Sequence, residues 1–273
     1  MVPGEHESAA HWVDPHEGFE YLTDVVIVSA AHQAEKLSAC GLDPAIYADT
    51  VDPSFFIGEA IHAGINSGIT AEGNVNMLQS LVQHRPARLG EPLTVRGRIT
   101  AVTPVPRGRT IDTDVWFEDE SGARVVTARR RSLKPDPSKV GVHGAGERPP
   151  PVIENLSTLT HAGSHQLTPE QVKRYSSEGN SIHYEMAAAQ KAGFRAPLIG
   201  GGMGVHYLLA SIMSGYAPEQ IDLDIYFRRP IFWDDAFTVL REENESALRA
   251  ICLVKGGADD RKVATEARVN NLS

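Results

Sequence analysis

The sequence predicts an α+β protein in which one unit, a helix followed by several long antiparallel strands, occurs twice. Repetition is the first observation behind this. Arg85-Pro86 opens RPARLGEPLTV, and Arg229-Pro230 opens RPIFWDDAFTV 144 positions later, with Thr94-Val95 falling on Thr238-Val239 at the same offset. Residues 124–128, RVVTA, resemble residues 262–266, KVATE, at an offset of 138, and a shorter hairpin turn would absorb the difference. The second observation is that each repeat ends in strand signals. The third is a segment of Pro, Gly and charge, KPDPSKVGVHGAGERPPP at 134–151, which reads as a linker between units at 1–133 and 152–273.

Each element has its own justification. AAHQAEKLSACG follows the apolar run VVIV and reads as the helix of the first unit. TIDTDVWFED alternates, turns at ESG and continues into ARVVTARRRSL, a long hairpin. In the second unit Thr168, Pro169 and Glu170 start a short helix to about Ser177, with a cap and Pro at the first helical position. The turn Glu178-Gly179-Asn180 follows, then a helix over EMAAAQKAG that stops at Gly193. GVHYLLASIMSG is a longer apolar helix. LDIYFRRPIF, AFTVLREE, ALRAICLVK and KVATEARVN read as strands, with GGADD as the last turn. A strongly curved sheet wrapped around one long helix suits this order.

Composition narrows the function. The chain has 273 residues, 41% of them hydrophobic and 22% charged, enough for a core and unlike a disordered chain. A net charge of −9 argues against general affinity for nucleic acid or acidic membranes. No apolar run is long enough to span a bilayer, and the N-terminus MVPGEHESAAHWVDPHEG lacks the basic-then-apolar pattern of a secretory signal. Two cysteines, Cys40 and Cys252, make no disulfide framework and suit a reducing compartment. A cytoplasmic protein is expected.

Residues 175–183, YSSEGNSIH, carry the most specific pattern. They resemble the motif of MaoC-like (R)-specific enoyl-thioester hydratases and dehydratases: an aromatic residue, Gly-Asp-x-Asn-Pro-x-His, a small-residue helix, a Gly-Phe step and a His-Gly-Met turn. His183, Asn180 three residues earlier, Gly193-Phe194 and Gly202-Met203 stand at matching places. Glu178 replaces the Asp, Ser181 the Pro and Gly201 the His of the turn. RYS…IHY is also similar to mitochondrial-type hydroxyacyl-thioester dehydratases. The resemblance implies a double hot dog fold and one active site per chain, in the second unit. The first unit would have lost its catalytic groups and would help to hold the acyl chain. Its counterpart of the motif is Gly41-Leu-Asp-Pro-Ala-Ile-Tyr47, where no His survives.

Hydrating a C=C conjugated to a thioester needs a base for water, an acid for the α-carbon and stabilisation of the enolate oxygen. A carboxylate and an imidazole sharing one water can supply the first two. The resemblance gives that pair to Glu178 and His183, with Asn180 bracing the turn or the water. The Gly202 N–H, at a helix N-terminus, would bind the thioester oxygen. No metal or redox cofactor is implied, and the substrate would ride on coenzyme A or acyl carrier protein. Two other readings stay open: a thioesterase on the same fold, and a degenerate acyl-binding partner subunit. A homodimer is possible under each.

Other features carry less. Arg129 and Arg131 share one face of a strand and are candidates for coenzyme A phosphates, or are solvated charges. Gly200-Gly201-Gly202 lacks the third glycine of a dinucleotide fingerprint, with Val205 in its place. His161 and His165 have zinc-like spacing but no Cys pair, and are read as a flexible segment; His62 is read as core or surface. Pro53-Ser-Phe-Phe-Ile is either tunnel lining or plain core.

Overall fold

A computed structural model describes residues 12–139, 142, 144–146, 149–176, 180–244, 247–257 and 260–273. In these residues ten strands form one antiparallel sheet: β1 (Asp24–Val26), β2 (Val75–Gln83), β3 (Leu93–Val105), β4 (Gly108–Glu118), β5 (Arg124–Pro135), β6 (Thr160–Gln166), β7 (Ile221–Phe227), β8 (Ala236–Asn244), β9 (Ala247–Lys255) and β10 (Lys262–Leu272). Their order is β1-β3-β4-β5-β2-β7-β10-β9-β8-β6. Read inward from either edge, the two halves present equivalent strands, and they meet where β2 pairs with β7, Leu78 opposite Tyr226 and Gln83 opposite Ile221.

The repeated segments fall on equivalent strands: Thr94-Val95 on β3 and Thr238-Val239 on β8, residues 124–128 on β5 and 262–266 on β10. The offset difference lies in the hairpin arms rather than in a shorter turn. β3 and β4 have 13 and 11 residues, whereas β8 and β9 have 9 each. Two residues separate the strands in both hairpins.

Among the described residues five α-helices accompany the sheet: α1 (Ala30–Ala39), α2 (Phe55–Asn66), α3 (Pro169–Ser176), α4 (Met186–Lys191) and α5 (Gly201–Tyr216). The long helices α2 and α5 are the ones the half-sheets cover. α2 packs on β3 and β5, α5 on β8 and β9, and the two helices touch. This corrects the expectation for the first unit, since the AAHQAEKLSACG helix is α1, which packs on α3. α2 is nearly continuous apolar sequence without a clear helical stripe, so its period was not visible.

Local chemistry explains several boundaries. Thr168 and Gln171 cap α3 reciprocally: the Gln171 N–H donates to Thr168 Oγ1 at 3.3 Å, and the Thr168 N–H to Gln171 Oε1 at 3.1 Å. Gly193 follows α4 with φ +86°, a left-handed stop that glycine adopts without strain. β7 ends at Phe227, short of the predicted Phe232, because Pro230 has no N–H for a ladder and the N–H groups of Arg228 and Arg229 both donate to Ala264 O.

One apolar core runs through both halves, including Leu81, Phe117 and Ala128 on one side and Leu208, Leu223 and Leu253 on the other, all with no measurable exposure. Each such leucine contributes about 1.5–3 kcal/mol relative to an exposed one. Phe56 and Ile57 are each 1% exposed, which makes Pro53-Ser-Phe-Phe-Ile core. The end of the predicted linker is tied down. Arg228 donates from Nη1 and Nη2 to the carbonyls of Pro149 and Pro150 and from Nε to buried Glu266 at 2.6 Å; the second Glu266 oxygen accepts the Ile153 N–H. No helix among the described residues is long and apolar enough to cross a membrane.

Candidate active site

The chain reaches His183 through a short 3-10 turn, Ser181–His183, whose N-cap is Asn180. Asn180 Oδ1 accepts the Ile182 N–H at 3.2 Å, so this side chain braces the turn. The first half builds the same turn at Pro44–Tyr47, where Asp43 Oδ1 accepts the Ala45 N–H at 2.9 Å. Counting from the two caps puts Ile46 at the place of His183, an apolar group where the second half has an imidazole.

His183 Nδ1 lies 2.7 Å from the carbonyl oxygen of Leu198, which can only accept. Nδ1 therefore carries the proton, and the lone pair of the neutral ring sits on Nε2. Burial holds the imidazole below its usual pKa, against a smaller opposing effect of the Leu198 bond. Nε2 faces the start of α5, where a Cβ on Gly200 would stand only 3.6 Å from it.

Gly200 is the N-cap of α5, and among the described residues no side chain caps it; the N–H groups of Gly201 and Gly202 have no intrahelical acceptors. Two residues on from Gly200, a Cβ on Gly202 would stand 3.6 Å from the Tyr175 hydroxyl. Between them, a Cβ on Gly201 would lie 2.9 Å from Phe227 Cε1 and 3.1 Å from Asn76 Nδ2. The ring of Phe227 and the amide of Asn76, from β2 of the first half, thus fill the space a histidine would need at Gly201. The structure brings together His183, Asn180, Gly202, Tyr175 and Asn76. Glu178 lies outside the described residues.

A buried polar group adjoins this place, and the sequence reading missed it. Asp52 has 0% and His206 1% of its side chain exposed. His206 Nδ1 is 2.7 Å from Asp52 Oδ2 and 2.5 Å from Ser54 Oγ, and His206 Nε2 is 2.9 Å from the Tyr175 hydroxyl. Asp52 Oδ1 accepts both the N–H and the hydroxyl of Ser54. Asp52 and Ser54 precede α2, whereas His206 sits on α5, so about 150 residues of sequence separate groups in contact. A polar residue at 206 in the apolar run GVHYLLASIM was the available signal.

Arg129 and Arg131 are on β5, next to β2, and each has a carboxylate partner. Arg129 Nε donates to Asp114 at 3.2 Å, and Arg131 makes a two-pronged bond to Asp112 at 2.7 and 3.0 Å, both pairs exposed. His161 and His165 belong to edge strand β6 and not to a flexible segment. His161 Nε2 is 2.9 Å from Ser164 Oγ, and the His165 ring stacks on Phe237. His62 is on the surface of α2, near Glu59.

No family model matches the chain, and neither does any curated protein. Solved structures do. HtdX of Mycobacterium tuberculosis superposes with a TM-score of 0.73 at 19% identity, covering 92% of this chain and 100% of that one. A MaoC-like dehydratase from Phytophthora capsici gives 0.72 at 14%, covering 94% and 97%. A conserved hypothetical protein of Mycobacterium tuberculosis with a double hotdog fold gives 0.64 at 12%, covering 93% and 95%. At these identities the likeness speaks to architecture, and it agrees with the mirrored half-sheets around α2 and α5. The chain has the double hot dog fold.

Proposed function

We propose that this protein adds water to a 2-enoyl thioester, or removes it from the 3-hydroxyacyl thioester, with the acyl group carried on coenzyme A or acyl carrier protein. One observation carries the reading: the Nδ1 bond to Leu198 leaves the His183 lone pair on Nε2, which faces a helix N-terminus that no described side chain caps. An unprotonated imidazole nitrogen can take a proton from water, and a helix N-terminus favours an oxyanion. The resemblance of residues 175–183 to the hydratase motif supplies the reaction class.

In this reading water lies between His183 and Glu178. One group removes a proton as the oxygen bonds to C3, the C=C electron pair moves through C2 onto the thioester oxygen, and the enolate electrons then take a proton at C2 from the other group. The proton held by the first group passes to the second, which restores both groups and leaves one water added across C3 and C2. The Gly202 N–H holds the oxygen while it is negative, an interaction worth about 2.7–4 kcal/mol where one such donor has been removed. Arg129 and Arg131 would bind coenzyme A phosphates only by giving up Asp114 and Asp112.

The test mixes the protein with crotonyl-CoA and follows enoyl absorbance together with free thiol. Loss of absorbance with a 3-hydroxybutyryl product and no thiol supports the proposal, and Glu178→Gln should slow it at least about a hundredfold. Thiol release without change at the double bond would replace it with a thioesterase. Binding without turnover in wild type, with activity gained in Glu178→Asp, would make the chain an impaired member of the fold.

A further inference from the structure

Hydration as described makes no use of Asp52, Ser54 or His206, yet they form a closed polar chain in the core that ends on a hydroxyl in the site. Asp52 and His206 are almost wholly inaccessible; His206 joins Asp52 to Tyr175, and Ser54 bonds to both Asp52 and His206. Tyr175 is only partly buried. It is also held from its other side: Lys36 Nζ, from α1, donates to its carbonyl oxygen at 2.9 Å and lies 5.5 Å from its ring centre. Its oxygen lies 3.6 Å from where a Gly202 Cβ would be, at the same α5 N-terminus that His183 Nε2 approaches at Gly200.

We propose that Tyr175 is a catalytic residue, its hydroxyl a second donor to the thioester oxygen beside the Gly202 N–H, and that Asp52 and His206 are the positioning residues that aim it. The proposal rests on the site being an acyl-thioester site. A phenol has one O–H and two lone pairs. In the proposed state Asp52 and His206 are carboxylate and imidazolium, neutral together. His206 donates from Nδ1 to Asp52 and from Nε2 to the Tyr175 oxygen, which turns the phenolic O–H toward the substrate. No proton leaves Tyr175. Burial holds its hydroxyl well above the usual range, so it stays protonated as a donor must. A donor fixed in place before the oxyanion forms needs no reorganisation, which is where such groups gain their effect. The first half, without a counterpart of His183, then still contributes to catalysis by placing Asp52 and Ser54 under the donor.

The experiment uses butyryl-CoA labelled with ¹³C at the carbonyl, a saturated thioester that binds without reacting. Its carbonyl stretch in difference infrared spectra should fall on binding to the wild type and return at least halfway toward the free value in Tyr175→Phe. His206→Gln and Asp52→Asn should shift it in the same direction while the hydroxyl is still present. Should Asp52→Asn fail to fold, His206→Gln decides the positioning claim. With crotonyl-CoA, Tyr175→Phe should lower kcat about a hundredfold and leave KM within about threefold. An unchanged carbonyl stretch in Tyr175→Phe overturns the proposal, as does failure of the wild type to bind butyryl-CoA. A stretch that depends on Tyr175 in a protein that does not hydrate crotonyl-CoA upholds it and removes the hydration reading instead.

Discussion

His183 and Leu198 fix the chemistry of the site between them: the 2.7 Å contact from Nδ1 to a backbone carbonyl assigns the ring proton and leaves Nε2 as the acceptor. Because Leu198 lies three residues from the start of α5, the same short segment that sets the tautomer also presents the helix N-terminus. The proposed base and the proposed oxyanion donor are thereby tied to one short segment.

The pH dependence follows from that tautomer. Burial depresses the His183 pKa, so the neutral base persists to lower pH than for a free histidine. The acid limb of kcat/KM should fall below the ordinary histidine range near 6.5. For stability the sign is the same. A folded pKa below the unfolded one contributes stability present above about pH 6.5 and lost as pH falls through the folded pKa. Comparing urea midpoints of wild type and His183→Gln between pH 5 and 8 checks it; the mutant should lose less stability on acidification.

Asp52 should matter to stability beyond any part in chemistry. Replacing it by Ala leaves His206 and Ser54 without their acceptor in the core, and breaking a buried pair by removing one partner costs about 3–5 kcal/mol. Chemical denaturation of Asp52→Ala measures this directly. A loss under about 1 kcal/mol would show that the chain of bonds is not a fixed feature.

Gly201 should not accept a larger side chain. A Cβ there meets Phe227 and Asn76 at 2.9 and 3.1 Å, so Gly201→Ala should destabilise by about 1–3 kcal/mol through overpacking. Adding Phe227→Leu should recover part of that loss. Thermal unfolding of the single and double variants reads the coupling.

Glu266 should anchor the start of the second half. It accepts from Arg228 and from the Ile153 N–H at 1% exposure, and Arg228 in turn holds two linker carbonyls. Glu266→Ala should cost about 3–5 kcal/mol and expose the linker to protease, while Arg229→Ala should cost less. Limited proteolysis of the three proteins provides the comparison.

How far these relations could be read in advance varied with their range along the chain. The capping box of α3, the glycine stop after α4, the hairpin β4–β5 and the strands β8 to β10 are local, each decided by residues within a few positions. The repeat was legible because Arg-Pro recurs at a fixed offset just after β2 and β7, and Thr-Val at the same offset on β3 and β8. α2 was not, since Ser54 turns its side chain to Asp52 and His206 instead of capping the helix. β1 has three residues, and β6, THAGSHQ, is polar and carries little strand pattern. In the site, the resemblance of residues 175–183 led to His183 and Asn180. No spacing could join Asp52 to His206, which only the packing of α2 on α5 brings into contact.

The most direct test is the ratio of crotonyl-CoA hydration rates in wild type and His183→Ala, measured above pH 7 with protein shown to be folded. A drop of about 10² to 10⁴ is predicted for removing a base with its lone pair on Nε2. Equal rates in the two proteins would contradict the account, because that nitrogen beside the helix N-terminus would then have no part in the reaction.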